Sequence, residues 1–180
     1  MRRPCLILLL LFVCVACSLW PSVGRAQTAP ELYGVREIVV DYARFDDPKR
    51  ADTCGLSRDS ITDYLVRELQ KGGVPAVAAS QAPPPVLGVA RIQMIPDVLV
   101  YADESLNCVS WIALSAESRA NIVVPPVTLP RSVTIRYWQD RGRASSASSI
   151  HKQALEAALQ KMATAFAQQY KLDQPPEVPK

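Results

Sequence analysis

The sequence predicts an α+β domain in which two helices pack on one face of a four-stranded, mainly antiparallel sheet, with the chain order β-α-β-β-β-α. Three observations carry this prediction. A helix with both of its ends encoded runs from Ser57 to Gly73, a second apolar helical stripe lies between Ile150 and Lys171, and four other segments are typical of strands. Two helices that each have one apolar stripe can bury both stripes by packing against the same face of a sheet.

The first 26 residues are typical of a secretory signal peptide. Two arginines precede an apolar run from Cys5 to Trp20, and a polar exit follows. Gly24 and Ala26 place small residues three and one before a cleavage site ahead of Gln27. The apolar run of about 16 residues is shorter than the roughly 20 that a membrane-spanning helix requires. We therefore expect an exported protein, which in a Gram-negative bacterium would lie in the periplasm.

A lipoprotein leader is the alternative interpretation. Val15 and Ala16 suit the positions before a lipidated Cys17, although Cys14 stands where leucine is expected. An acyl chain on Cys17 would tether the domain to the outer membrane. Membrane contact is expected only in that case.

Removal of the leader makes the domain electrically neutral. The chain has 20 basic and 17 acidic residues, and Arg2, Arg3 and Arg25 leave with the leader, so 17 basic residues remain. Nucleic acid requires a basic face to bind its phosphates, and we expect no nucleic-acid partner. Residues 27–173 are expected to form one domain, and the proline-rich residues 174–180 a disordered tail.

The cysteines indicate a disulfide. Cys5, Cys14 and Cys17 lie in the leader, which leaves Cys54 and Cys108 as an even pair in an oxidising compartment. A reactive thiol or half of a metal site is the alternative. With one histidine in the chain and no C-x-x-C spacing after the leader, neither a metal site nor a cofactor is predicted.

The first strand and the loop after it lie at residues 36–53. Residues 36–45, REIVVDYARF, alternate with Ile38, Val40 and Tyr42 on one face, which is typical of a half-buried strand. Residues 46–53 are expected to form a polar loop. Asp46 and Asp47 could act as paired carboxylates, but neighbours beside a proline are more typical of a turn.

The sequence of the first helix indicates its N-terminus, its buried face and its C-terminus. Ser57 is a favourable N-cap, since its hydroxyl can accept from a free backbone N–H of the first turn. Ile61, Leu65 and Leu69 then recur at every fourth residue and form a buried stripe. The glycines at 72 and 73 end the helix, because glycine adopts the left-handed conformation at little steric cost.

Three further strands follow this helix. Residues 74–80 are expected to form a short edge piece, and Val86–Ile95 a second strand that is broken at Pro96. The apolar residues 97–103 are either its bulged continuation or a separate hairpin arm. Residues 107–118 have two apolar faces, which indicates a central strand. Residues 131–140 alternate again and form the fourth predicted strand.

The last helix is predicted over residues 150–171, after a small-residue linker at 142–149 in which Ser148 or Ser149 supplies the cap. Its buried stripe is expected to comprise Leu155, Leu159, Met162, Phe166 and Tyr170. His151, the only histidine, lies in its first turn and is expected to face solvent. The N-terminal arm at residues 27–34 is expected to be loose.

A possible partner-binding surface combines two tryptophans of the predicted strands with an apolar loop at residues 122–130. Buried sheet aromatics are commoner than aromatic binding surfaces, so a core role is the competing interpretation. The candidate residues are Val123, Val127, Leu129, Trp111 and Trp138.

No catalytic residue is predicted. The sequence contains no G-x-S-x-G, P-loop, G-x-G-x-x-G or H-E-x-x-H motif. A hydrolase that uses Asp103, Glu104 or His151 is kept as one alternative. The other is a small-ligand carrier with a pocket between sheet and helices, lined by Trp111 and Phe166.

The order of these segments resembles that of small exported Gram-negative proteins. The resemblance rests on the helix LVRELQKGGV, the strand PPVLGVARIQMI and the closing helix IHKQALEAALQKMATAFAQQY. The fold of those proteins is similar to the LPS-assembly lipoprotein and to the N-terminal domain of the periplasmic TolB protein. The resemblance implies a non-catalytic binding or assembly module of the cell envelope, with a protein, lipid or polysaccharide partner.

Overall fold

The computed structural model describes residues 31–86, 89–122 and 131–174. The predicted signal peptide and most of the predicted C-terminal tail lie outside these residues. The elements of the described chain are β1 (Glu37–Val40), β2 (Arg44–Phe45), α1 (Pro48–Thr53), α2 (Arg58–Lys71), β3 (Ala76–Ala78), β4 (Arg91–Ala102), β5 (Asn107–Ile122), β6 (Arg131–Ala147) and α3 (Ser148–Asp173).

The α+β class is confirmed, but the predicted four-stranded, mainly antiparallel sheet is wrong. The sheet is mixed and six-stranded, in the order β3-β1-β4-β5-β6, with β2 beside β4. β1 is parallel to both β3 and β4, and β2 is also parallel to β4. β4 is antiparallel to β5, and β5 is antiparallel to β6. The error arises at β1 and β3. The chain between these two strands contains α1 and α2, and a helical crossover of this kind permits parallel pairing.

The first predicted strand is interrupted. Ile38 and Val40 are buried as expected, whereas Tyr42 lies between β1 and β2 and is exposed. The predicted loop at residues 46–53 contains α1. Asp47 is the N-cap of α1, and its carboxylate accepts from the backbone N–H groups of Lys49 and Arg50 at 3.0 and 3.2 Å.

β4 continues through Pro96 to Ala102, so residues 97–102 are the continuation of the strand and not a separate hairpin arm, and their pairing with β5 shows no bulge. The carbonyls of Met94 and Val98 both accept hydrogen bonds from the side of β1 and β2. Because alternate residues of a strand point their backbone groups to the same side, the nitrogen of Pro96 also faces that side. β1 ends at Val40 and β2 begins at Arg44, so the missing N–H coincides with a gap in the ladder. The proline therefore removes no sheet hydrogen bond.

α2 and α3 form as predicted, apart from the start of α3. The backbone N–H of Ser60 donates to the Ser57 hydroxyl at 3.2 Å, and Gly73 adopts a φ of +80° after α2. The predicted stripes of α2 and α3 are buried throughout. The predicted linker at 142–149 is wrong, because β6 continues to Ala147 and leads directly into α3. Neither Ser148 nor Ser149 caps this helix, whose N-cap position is Ala147 without a side-chain hydrogen bond.

The N-terminal arm is docked where the structure describes it. The backbone N–H of Leu32 donates to the Asp173 carboxylate at 3.1 Å, and its carbonyl accepts from Gln174 at 2.8 Å. The Tyr170 hydroxyl donates to the carbonyl of Val35 at 2.9 Å. Leu32 is fully buried. The expectation of a loose arm is therefore wrong from residue 31 onward.

The three helices of the described chain lie on the same side of the sheet. Ala51 of α1, Leu65 of α2 and Phe166 of α3 belong to one hydrophobic cluster, together with Ile112 and Leu114 of β5. We call this side the covered face. Side chains alternate along a strand, so Leu99 of β4 and Trp111 of β5 point to the opposite side, which we call the open face.

Candidate binding groove on the open face of the sheet

A groove of about 510 Å³ lies over β2, β4, β5 and β6. Six of its lining residues have side chains on the open face: Arg44, Asp97, Leu99, Trp111, Ala113 and Arg141. Asp46, after β2, also lines it, and Phe45, Val98, Ile112 and Gly142 complete the lining.

The strand register explains why a depression forms here. Asp97, Ala113 and Arg141 lie opposite one another on β4, β5 and β6. The methyl group of Ala113 is therefore flanked by two longer side chains, one on each neighbouring strand. Trp111 lies two residues before Ala113 on the same face, and its large ring borders the depression.

The apolar end of the open face is accessible to solvent. The side chains of Leu99, Tyr101 and Trp111 are 52, 54 and 47% exposed. Leu99 pairs directly with Trp111, and Tyr101 follows Leu99 on the same face of β4. Adjacent exposed apolar side chains of this size mark binding surfaces more often than scattered ones do.

The rim of the groove carries balanced charge. Arg44 and Arg141 supply two guanidinium groups, and Asp46 and Asp97 supply two carboxylates. Partial desolvation raises the pKa of Asp97 above its usual range, and the nearby charge of Arg44 opposes this shift. Asp46 is held in place because its carboxylate accepts from the backbone N–H of Val100 at 2.8 Å.

The other end of the open face is ionic. The guanidinium of Arg91 donates to Glu37 at 2.6 Å, and that of Arg136 donates to Glu117 at 2.7 Å. Burial would raise the pKa of Glu117, but hydrogen bonds from Arg136 and Ser115, together with the charges of Arg136 and Arg44, outweigh that effect and hold the pKa below its usual range. The open face thus has an apolar end with the groove and an ionic end beside it.

Trp111 and Trp138 do not form a joint aromatic surface. Trp138 pairs with the buried Ala116 and lies on the covered face, where its ring meets that of Phe166 edge-on at 5.1 Å. Trp111 lies on the open face. The other three partner-binding candidates, Val123, Val127 and Leu129, lie outside the described residues.

The carrier pocket expected between sheet and helices does not have the predicted lining. Phe166 is fully buried on the covered face, whereas Trp111 borders the groove on the open face. The sheet separates these two side chains. The cavity that Trp111 borders lies on the side away from the helices.

His151 is buried, contrary to the expectation that it faces solvent. Its Nε2 atom lies 2.8 Å from the Ser110 hydroxyl, and its Nδ1 atom lies 3.0 Å from the Ser146 hydroxyl. Burial lowers the pKa of His151 below its ordinary value of 6.5. Ser110 is also fully buried, so this histidine–serine contact is inaccessible to a substrate.

The acidic residues of the hydrolase alternative do not assemble with His151. Asp103 stabilises the turn between β4 and β5, because its carboxylate accepts from the backbone N–H and the side-chain amide of Asn107 at 2.8 and 3.1 Å. These hydrogen bonds lower the pKa of Asp103. The groove is lined by Asp46 but not by Asp103, Glu104 or His151.

The predicted disulfide between Cys54 and Cys108 is confirmed. It joins the end of α1 to the start of β5, with a Cα–Cα distance of 6.0 Å. Residues 31–86, 89–122 and 131–174 contain no group of three side chains suited to hold a metal ion. Within the same ranges, no helix is long and apolar enough to cross a membrane.

No protein-family model and no curated protein matches the chain. Among solved structures, a dodecamer of a PelC variant from Paraburkholderia phytofirmans is similar over 76% of this chain and 91% of its own, with 14% identity and a TM-score of 0.46. A homologue of neuraminyllactose-binding hemagglutinin from Helicobacter pylori matches over 76% of this chain and 86% of its own, with 13% identity and a TM-score of 0.30. Neither likeness is close enough to assign a function. The resemblance to the LPS-assembly lipoprotein and TolB stays a prediction.

Sequence reasoning identified Trp111 but missed the residues around it. Asp97, Ala113 and Arg141 are separated in sequence and meet only through the register of β4, β5 and β6. Alternation along residues 107–118 puts Trp111 and Ala113 on one face. It contained no signal for their neighbours across the sheet.

Proposed function

We propose that the chain is an exported, non-catalytic binding module of the Gram-negative cell envelope that holds its partner on the open face of its sheet. The observation that carries this proposal is the groove bordered by Trp111 on the face that the three helices leave uncovered. A pocket that combines apolar walls with a few placed polar groups is typical of a binding site.

The placement of the reactive side chains supports a non-catalytic role. A hydrolytic site requires a nucleophile, a base and an orienting group within hydrogen-bond reach of a bound substrate. His151 and Ser110 contact each other in the core, and Asp103 is engaged in a turn. The groove residues with titratable side chains are two carboxylates and two guanidiniums, which suit recognition.

Export is proposed from the leader sequence and agrees with the disulfide. Disulfides persist in oxidising compartments such as the periplasm. We expect the mature protein to begin at Gln27 and to occur in the periplasmic fraction, as N-terminal sequencing after cell fractionation would reveal. A membrane-associated form that begins with an acylated Cys17 would instead support the outer-membrane lipoprotein alternative.

Site-specific photo-crosslinking tests the binding surface. A photoreactive phenylalanine derivative at Tyr101 places the reactive group on the exposed apolar end of the open face. The same residue at Gln160, on the exposed side of α3, is the matched control. We expect irradiation of intact cells to link an envelope component to position 101 and not to position 160. Absence of a product at position 101, or equal products at both positions, would contradict the proposed surface.

A further inference from the structure

We propose that the groove on the open face binds a neutral sugar ring of an envelope glycan. This inference rests on the proposed binding function of that face and specifies the chemistry of the partner. It follows from three properties of the groove: an aromatic wall, a depression of limited width and a rim of balanced charge.

Trp111 supplies the aromatic wall. The residue is 47% exposed and borders the depression over Ala113. The face of an aromatic ring carries partial negative charge, and C–H groups carry partial positive charge, so the C–H face of a pyranose ring packs favourably on indole. A flat ligand with an apolar face therefore fits beside Trp111.

Ala113 sets the width of the depression. Neighbouring strands lie about 4.8 Å apart, so the strands that carry Asp97 and Arg141 are separated by roughly 10 Å across Ala113. Among the described residues, the ion pairs within 4.0 Å include none between Asp97 and Arg141. A single ring fits between these two side chains and brings polar groups toward both.

The charged rim matches hydroxyl groups. A carboxylate only accepts hydrogen bonds, and a guanidinium only donates them, whereas a hydroxyl does both. A ring that carries hydroxyls on opposite sides can therefore donate to Asp97 and accept from Arg141. The same ring can approach Asp46 and Arg44 at the β2 side of the groove.

The balance of charge favours a neutral ligand. Two carboxylates and two guanidiniums line the groove, so its net charge is near zero. A phosphate group would be attracted to the arginines but repelled by Asp46 and Asp97. A cation would be attracted to the two carboxylates but repelled by the arginines. Arg44 already pairs with Asp41 at 3.1 Å, and Asp46 already accepts from Val100. A neutral ring with hydroxyls can satisfy the remaining two groups, Asp97 and Arg141, without adding an uncompensated charge.

Fluorine NMR tests sugar binding directly. Trp111 and Trp138 are the only tryptophans after residue 26, so labelling the mature protein with 5-fluorotryptophan gives two signals, which a Trp138→Phe variant assigns. The probes are neutral hexasaccharides of glucose, N-acetylglucosamine and mannose, and inorganic phosphate is the charged control. We expect at least one hexasaccharide to shift the Trp111 signal, while the Trp138 signal stays unchanged and phosphate has no effect.

Two variants locate the binding site. Ala113→Leu fills the depression but keeps Trp111, and Asp97→Asn removes one charge from the rim. Each is expected to weaken the saccharide affinity about tenfold or more, which corresponds to about 1.4 kcal/mol. Ala157→Leu makes the same change as Ala113→Leu at an exposed position of α3 and is expected to leave the affinity unchanged.

The outcomes separate this inference from the proposed function. If no hexasaccharide shifts the Trp111 signal, or if Ala113→Leu binds as well as the unaltered protein, sugar binding in the groove is overturned. A protein crosslinked at Tyr101 without any saccharide response would keep the binding module and replace the sugar with a polypeptide partner. If both crosslinking and saccharide binding fail, the sugar inference and the open-face surface are both overturned.

Discussion

The two faces of β5 show how one strand provides both a core and a binding surface. Ile112 and Leu114 point to the covered face and are almost completely buried against the helices. Trp111 and Ala113 point to the open face and line the groove. The backbone and its hydrogen bonds are common to both sets of residues. Their different roles follow from which side the helices occupy.

This difference predicts that stability and binding can be altered separately. Side chains on the covered face contribute through burial of apolar area, so their removal leaves cavities. Exposed side chains on the open face leave no cavity when they are shortened. The predictions below test this separation and run from the largest expected change in unfolding free energy to the smallest.

Replacement of one aromatic residue on each face gives the sharpest contrast. Phe166→Ala is expected to destabilise the protein by about 3–5 kcal/mol, because the ring is fully buried against Trp138. Trp111→Ala is expected to cost less than about 1 kcal/mol, because the side chain is half exposed. Urea denaturation at neutral pH measures both values. Equal decreases in the free energy of unfolding of the two variants would contradict the separate roles of the covered and open faces.

The disulfide fastens α1 to the covered side of β5. Its removal in a Cys54→Ala, Cys108→Ala double variant is expected to cost about 2–4 kcal/mol, since the crosslink closes a loop with a sequence separation of 54 residues. Urea denaturation of the double variant and the oxidised unaltered protein gives the difference. A loss below about 1 kcal/mol would show that the crosslink contributes little to folding.

His151 is expected to make stability depend on pH. Burial lowers its pKa, so below about pH 6.5 the unfolded chain takes up a proton that the folded chain does not. The free energy of unfolding should therefore fall as the pH decreases from 7 toward 5. His151→Gln retains a polar group but does not titrate, and it is expected to cost about 1 kcal/mol at pH 7.

The measurement that checks this is thermal unfolding of both proteins between pH 5 and 7. The unaltered protein should lose more stability over this interval than His151→Gln does. Parallel pH profiles would show that other groups cause the dependence.

The ion pair between Arg136 and Glu117 on the open face is expected to have the smallest effect. The Arg136 side chain is 52% exposed, and exposed ion pairs contribute about 0.2–1 kcal/mol. Arg136→Met keeps most of the apolar part of the side chain. The decrease in the free energy of unfolding that urea denaturation measures for this variant should fall in that range. A loss above about 2 kcal/mol would mean that the ionic end of the open face supports the fold as the covered face does.

Local sequence patterns predict the ends of α2 and the buried faces of α2 and α3. The cap at Ser57 and the buried positions Leu155 to Tyr170 follow from residue types within one or two helical turns. The pairing of Cys54 with Cys108 follows from the count of cysteines left after the leader. Each of these features depends on few residues, so the sequence alone could specify it.

Features that depend on distant partners could not be predicted in this way. The burial of His151 requires Ser110 and Ser146 from two other elements. The choice between a continuous strand and a separate arm after Pro96 depends on the gap between β1 and β2. The groove likewise arises from register across three strands. In each case the deciding neighbour is brought close only by the completed sheet.

One edge of the described sheet is formed by β6, which pairs with β5 on its other side. This strand of 17 residues carries four arginines and a single acidic residue, Asp140. Two copies that met along this strand would bring like charges together, and positive charge on an exposed strand discourages uncontrolled growth of sheets from molecule to molecule. The arginines of β6 would thus keep a crowded population of these proteins from assembling into fibrils.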